Sequence, residues 1–191
     1  MGQYYKAILL DKKIGLKPWD HGGSDDPDEN FNGAKLMEHS YIGNPLVNAV
    51  ENLIKRTGTY GSARVVWAGD YADGEEKNDP DGNNLYNFVS EGKFLRVILP
   101  AEKQGRNKEE VRYLVNLSKG EYVDLFKCRE DEHGLTIHPL PLLTCEGNGR
   151  GGGDYHGEEL YIGYWARDRI TLQRSKPQKA QEIIPNFNEW R

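Results

Sequence analysis

The stretch VRYLVNLSKGEYVDLF, Val111–Phe126, decides the fold. Two runs rich in β-branched and aromatic residues flank Ser118, Lys119 and Gly120, and short polar residues ending in glycine between two such runs signal a β-hairpin. Its surroundings repeat that character. Upstream, QYYKAILL (3–10), ARVVWAG (63–69) and FLRVIL (94–99) have the composition of strands, with DKK and Gly15 supplying turn residues after the first. Downstream, ELYIGYWA (159–166) and DRITLQ (168–173) read as two more strands. LTIHPLPLL (135–143) is apolar but interrupted by Pro139 and Pro141, which predicts an edge strand or an extended segment. Strands follow strands instead of alternating with helices, so the predicted class is α+β with a largely antiparallel sheet.

One segment departs from this pattern. In NPLVNAVENLIKR (44–56), Asn44 is placed to cap a helix and Pro45 suits the first helical position, where its missing N–H has no intrahelical partner to lose. Leu46, Val47, Val50, Leu53 and Ile54 then recur on one face, Lys55 and Arg56 fall at the end the helix dipole favours for cations, and Gly58 stops the run. An amphipathic helix over about 44–56 is predicted, with KLMEHSY (35–41) as a short helix or turn beside it. Asn84–Ser90 forms a further element, and the tail anchors itself through Ile183, Ile184, Phe187 and Trp190.

A length of 191 residues fits a single domain, 1–191, with one core. The chain holds 22 Gly, and these gather with Asp in long connections, at 21–32, 70–84 and 147–157. No run of about 18 apolar residues exists, and the N-terminus lacks the order of a secretory signal, so a soluble protein of the cytoplasm is expected. Gly2 does not carry a myristoylation motif, because Lys6 stands where that motif needs Ser or Thr. Two cysteines, Cys128 and Cys145, are too few for a disulfide framework.

Net charge is −5, and its distribution is uneven. Asp20, Asp25, Asp26, Asp28 and Glu29 form one acidic block, and Asp70, Asp73, Glu75, Glu76, Asp79 and Asp81 form another. The last third is basic. Acidic loops argue against coating nucleic acid, which clustered Lys and Arg perform, and make direct nucleic-acid binding secondary at most. They suit docking onto a basic partner, or simple solvation.

Three further constellations carry chemistry. LLTCEGNGRGGGDYHG (142–157) collects glycines with Arg150, Asp154 and His156, and successive backbone N–H groups there can converge on an anion. It lacks the Lys-Ser/Thr of a P-loop and a following helix, so a nucleotide site is the alternative reading. His133, His138, Cys145 and His156 have the residue types of a zinc site without its tight spacings. In WARDRI (165–170), strand alternation would put Arg167 and Arg169 on one face, either clamping an anion or pairing with the molecule's own acids. DPDGN fails the calcium-loop spacing. His39, beside Ser40, has no nucleophile elbow around it and is expected to bridge near the helix.

MGQYY at the start, GAKLMEHSYIGNPLVNAV, RVVWAGDYAD, CEGNGRGGGDYHG and YWARDRI resemble, in matching order, a family of small proteins encoded by bacteriophages and mobile elements of bacteria. The resemblance implies a bacterial host cell as the setting and supplies no catalytic residues. In setting and size the chain is similar to type II-A anti-CRISPR proteins, inhibitors of Cas9. The expectation is therefore a non-enzymatic accessory protein, needing no cofactor, that contacts a host defence protein such as Cas9 with its guide RNA through the two acidic blocks. The alternative is a small enzyme, or a nucleotide- or metal-binding protein, built on 147–157 with Arg150, Asp154, His156, Arg167 and Arg169.

Overall fold

A computed structural model of the chain describes residues 3–21, 34–75, 81–103, 111–130, 134–147, 155–157 and 161–189. The first strand, β1 (Tyr5–Leu9), is buried along its whole length, because it has neighbours on both edges and packing on both faces. It pairs antiparallel with β2 (Ile14–Leu16) on one edge and with β3 (Ala63–Gly69) on the other. β4 (Leu95–Arg96) adds parallel to β2 at the border of the sheet. On the far side of β3 the order continues through β9 (Arg169–Gln173), β5 (Tyr113–Asn116), β6 (Glu121–Asp124) and β10 (Gln181–Glu182). β7 (Cys145–Glu146) joins β3 parallel, and β8 (Tyr155–Gly157) pairs separately with β11 (Phe187–Glu189). The fold is α+β, and most of its strand pairs are antiparallel.

The hairpin forms where the sequence places it. β5 and β6 pair antiparallel with Asn116 opposite Glu121. The Asn116 side chain builds the turn, its Oδ1 accepting from the N–H groups of Ser118 and Lys119, and Gly120 takes the left-handed conformation at φ 67°. Its Nδ2 donates to Asp168, which also pairs with Lys119, so the turn is tied to the segment before β9.

One face of the sheet carries the main core. α1 (Leu36–His39), α2 (Pro45–Ile54) and α4 (Pro139–Thr144) bring Leu36, Leu46, Val50, Ile54, Leu140 and Leu143 against Ala7, Leu9, Val65, Trp67 and Leu114. Asn44 caps α2 by accepting from the N–H of Leu46 and of Val47. The helix ends at Ile54, short of the expected 56, because Lys55 goes extended and bridges to Leu172, so Lys55 and Arg56 do not form its last turn. On the other face, α3 (Leu85–Ser90) covers Ile8, Val66 and Ala68 with Leu85, Phe88 and Val89. No described helix is long and apolar enough to cross a membrane.

Four segments depart from the sequence reading. Of FLRVIL only Leu95–Arg96 is strand. LTIHPLPLL holds α4 rather than an edge strand, because Pro139 and Pro141 both fall in the first turn, where their missing N–H groups cost nothing. The described part of ELYIGYWA, from Tyr161 on, is a series of turns, with Gly163 N–H bonded to Leu142 and Trp165 N–H to Leu143. Gly163 is left-handed there, and a Cβ would sit 2.6 Å from the carbonyl oxygen of Cys145. Gly15 lies inside β2 rather than in the turn, which Lys13 makes at φ 52°. Of the expected tail anchors Ile183 and Phe187 are buried, Ile184 is exposed, and Trp190 lies outside the described residues.

A Cβ at Gly15 would meet Val89 Cγ2 at 2.2 Å, so α3 lies on bare backbone at this point. Gly15→Ala is expected to lower the unfolding free energy by about 1–3 kcal/mol in urea titration, because stiff Val89 cannot move aside without lifting the helix. An unchanged midpoint would show that α3 does not pack there.

Candidate functional site

The acidic segment after β3 is held in place at several points. Asp70 N–H donates to the Tyr4 carbonyl at 2.9 Å, and Tyr4 N–H donates to Asp70 Oδ1 at 3.1 Å. Asn84 Nδ2 donates to the carbonyls of Asp70 and Ala72, while its Oδ1 accepts from Asn87 N–H and caps α3. One asparagine thus fixes both the loop and the helix that follows it. Glu75 N–H donates to Asn83, and a Cβ on Gly74 would lie 2.3 Å from the Gly82 oxygen, so the two arms of the loop touch. The consequence is a shaped surface. Tyr4 and Tyr71 are 47% and 49% exposed beside half-buried Asp70, with Asp73 exposed next to them.

Not every acid of the second block faces outward. Glu75 pairs with Arg167, which also grips Glu146 through Nε at 2.6 Å and Nη2 at 2.8 Å. The two carboxylates, Glu146 first, raise the guanidinium's pKa further against the opposing effect of burial. Asp81 is exposed. Glu76 and Asp79 lie outside the described residues, as do Asp25, Asp26, Asp28 and Glu29 of the first block, whose described member, Asp20, pairs with Arg96.

Arg167 and Arg169 do not share a strand face. Arg167 precedes β9 in the left-handed region at φ 67°, and its side chain runs to β7 and the acidic loop. Arg169 opens β9 and reaches Asp11 at 2.9 Å and Ser62 at 3.4 Å. Burial pushes the Asp11 carboxyl up, but the Arg64 N–H and Arg169 outweigh it and hold the group below its usual range. Both arginines pair with the molecule's own acids. A shared anion clamp is therefore absent, since each guanidinium is committed in a different direction. Arg150 and Asp154 lie outside the described residues, and of His156 only the backbone, within β8, is described.

The described metal candidates are also committed elsewhere. His138 Nδ1 accepts from Leu140 N–H as the cap of α4, and its Nε2 sits 2.8 Å from Glu51 Oε1 in full burial. The Cys145 thiol donates to the Leu142 carbonyl, and burial pushes its pKa up to about 12. Zinc needs the thiolate and a free imidazole nitrogen, which this geometry denies. Among the described residues no group of three His, Cys, Asp or Glu is placed to hold a metal ion. His133 lies outside them. His39 accepts from Trp67 Nε1 at 2.9 Å inside the core, bridging α1 to β3.

Sequence reasoning missed two features here. Tyr4 and Tyr71 flank the acidic loop, and the signal was their position beside Asp70 across paired strands. Lys6, in the middle of an otherwise apolar β1, is buried with its amine against α3. Its signal was a charge inside a strand that has no solvent-facing side.

Comparison with protein-family models, with curated proteins and with solved structures finds no match to this chain.

The clamp on Glu75 and Glu146 yields a direct test. Arg167→Met keeps the length of the side chain and removes four hydrogen bonds between charged groups, and leaves two partly buried carboxylates without a cation. A loss of about 2 kcal/mol in denaturant titration is expected, together with faster amide exchange over residues 70–75. Wild-type exchange rates in that segment would contradict the clamp.

Proposed function

We propose that this chain is a non-enzymatic accessory protein of a bacteriophage or mobile element that inhibits a host defence nuclease, Cas9 with its guide RNA, by docking an acidic, tyrosine-bearing surface onto it. The observation that carries the reading is the Tyr4, Asp70, Tyr71 and Asp73 surface. Tyrosine offers large contact area at low entropic cost, which is why interface hot spots favour it. Carboxylates beside it select a partner rich in Lys and Arg and speed the encounter. Cas9 presents such chemistry, in the basic channel for its heteroduplex and in the arginines that read the PAM. The fixed geometry of the loop supports the reading further, because a surface already ordered by Asn84 and Tyr4 loses little freedom on binding. Exposed Asp73 adds charge at its rim. Glu75 contributes by holding the loop rather than by touching the partner.

The experiment is affinity measurement between the purified chain and guide-loaded Cas9, with Tyr71→Ala and Asp73→Lys made singly and together. Binding of the unmodified chain is expected to weaken as salt rises, and the double variant to bind at least about tenfold more weakly, a loss of about 1.4 kcal/mol. Circular dichroism should stay unchanged, since both residues are exposed. No complex with the unmodified chain, or equal affinity for the double variant, would overturn the proposal.

A further inference from the structure

The face of β1 turned toward α3 holds an arrangement unrelated to docking. Lys6 is 1% exposed, and its amine is held by a carbonyl and a hydroxyl. Its Nζ donates to the Tyr86 carbonyl at 2.9 Å, lies 2.7 Å from Ser90 Oγ and sits 3.5 Å from the centre of the Tyr86 ring. Ser90 is the last residue of α3 and is exposed. A buried amine thus stands directly behind an accessible hydroxyl.

The geometry points to a serine–lysine dyad, in which Ser90 is a nucleophile toward activated acyl and phosphonyl groups and Lys6 is its general base. A base of this kind must be neutral near working pH and within hydrogen-bond reach of the hydroxyl. Burial is the main cause that lowers the Lys6 amine to about 8, Lys17 adds to it, and Asp70 opposes it from a distance. Tyr86 on α3, Lys17 after β2 and Asp70 after β3 are the titratable or charged groups that act on the amine. In its neutral form the amine keeps one N–H on the Tyr86 carbonyl and offers its lone pair to Ser90.

The chemistry balances without any further component. Ser90 Oγ forms a bond to the acyl carbon of an ester, its proton passes to Lys6 Nζ, and the leaving group departs as alkoxide or phenoxide and takes up that proton. Water attacks the acyl-serine by the same route in reverse, releasing the carboxylic acid and restoring the hydroxyl. With a fluorophosphonate, the phosphorus–oxygen bond forms, hydrogen fluoride leaves, and the adduct persists. This activity does not use the docking surface, so docking and the dyad are tested separately: an active Ser90 would leave the docking reading in place and withdraw only its non-enzymatic part.

The test is labelling of the full chain with a fluorophosphonate between pH 6 and 10, read by intact mass and by peptide mapping. One adduct on Ser90 is expected, with a rate that rises to a plateau around a midpoint near 8, following the Lys6 amine. Exposed Ser175 serves as an internal control and should remain unlabelled. Lys6→Met is expected to slow labelling about 100-fold. Because a change at buried Lys6 can disturb folding, Ser90→Cys provides a second measurement on an exposed site. Its alkylation by iodoacetamide should reach half-maximal rate at lower pH than that of an ordinary thiol, since the ammonium form of Lys6 stabilises the thiolate. No adduct on Ser90 at pH 9, equal labelling of Ser175, or an ordinary thiol profile in Ser90→Cys would overturn the dyad.

Discussion

The divided edge of β3 is the constraint on which the rest of the molecule depends. One edge of this strand, from Val65 to Gly69, belongs to β1. The other is shared, with Ala63 and Arg64 pairing with β9 and Trp67 and Ala68 pairing with β7. Between them Val65 donates to the Asp168 carbonyl and accepts from Arg167 N–H. Two strands arriving from different directions must therefore be held at one point, and the turns of 161–168 do this. Trp165 is fully buried and donates through Nε1 to Glu121, while Arg167 bends left-handed and grips Glu146 on β7 and Glu75 beyond β3. The unfavourable backbone at Arg167, a cost of order 1 kcal/mol, persists because two carboxylates fix the side chain on the far side.

From this junction the two proposed sites follow by short steps. Glu75 is drawn toward Arg167, so the acidic loop folds back over its own return arm and meets Asn83 and Asn84. Asn84 then starts α3, and α3 lies across the second face of β1 and β3. Asp70 and Tyr4 flank one end of that helix, and Ser90 forms the other end with Lys6 beneath it. The proposed docking surface and the proposed dyad thus share one helix. Their chemistries differ in what they need from water: the tyrosines and Asp73 face it, whereas the amine is set apart from it.

Local signals were legible in the sequence, and long-range ones were not. The hairpin at 111–126, the Asn44 cap with Pro45 behind it, and the limits of β3 are each specified by residues within a few positions of one another. α4 was hidden because prolines that break a strand or a helix interior are harmless in a first turn, and nothing in LTIHPLPLL says which case applies. The turns at 161–168 have a strand's composition, since Tyr, Ile and Trp are used there to fill the core rather than to form a ladder. Arg167 was readable as a residue that pairs with the molecule's own acids, but its partners, 21 and 92 positions away, were not. The same holds for Lys6, whose serine is 84 positions distant. The acidic blocks were visible as charge, but that Glu75 is spent on Arg167 while Asp73 stays exposed depended on a pair formed only in the folded chain.

Amide hydrogen exchange of the chain, alone and bound to guide-loaded Cas9, tests the central claim most directly. The claim is that a surface held by the β3 junction meets a basic partner. The account predicts added protection at Tyr4 and over 70–73, with the hairpin and α2 unchanged. Protection confined to another surface, such as the β4 border around exposed Leu95 and Ile98, or no change on mixing, would contradict it.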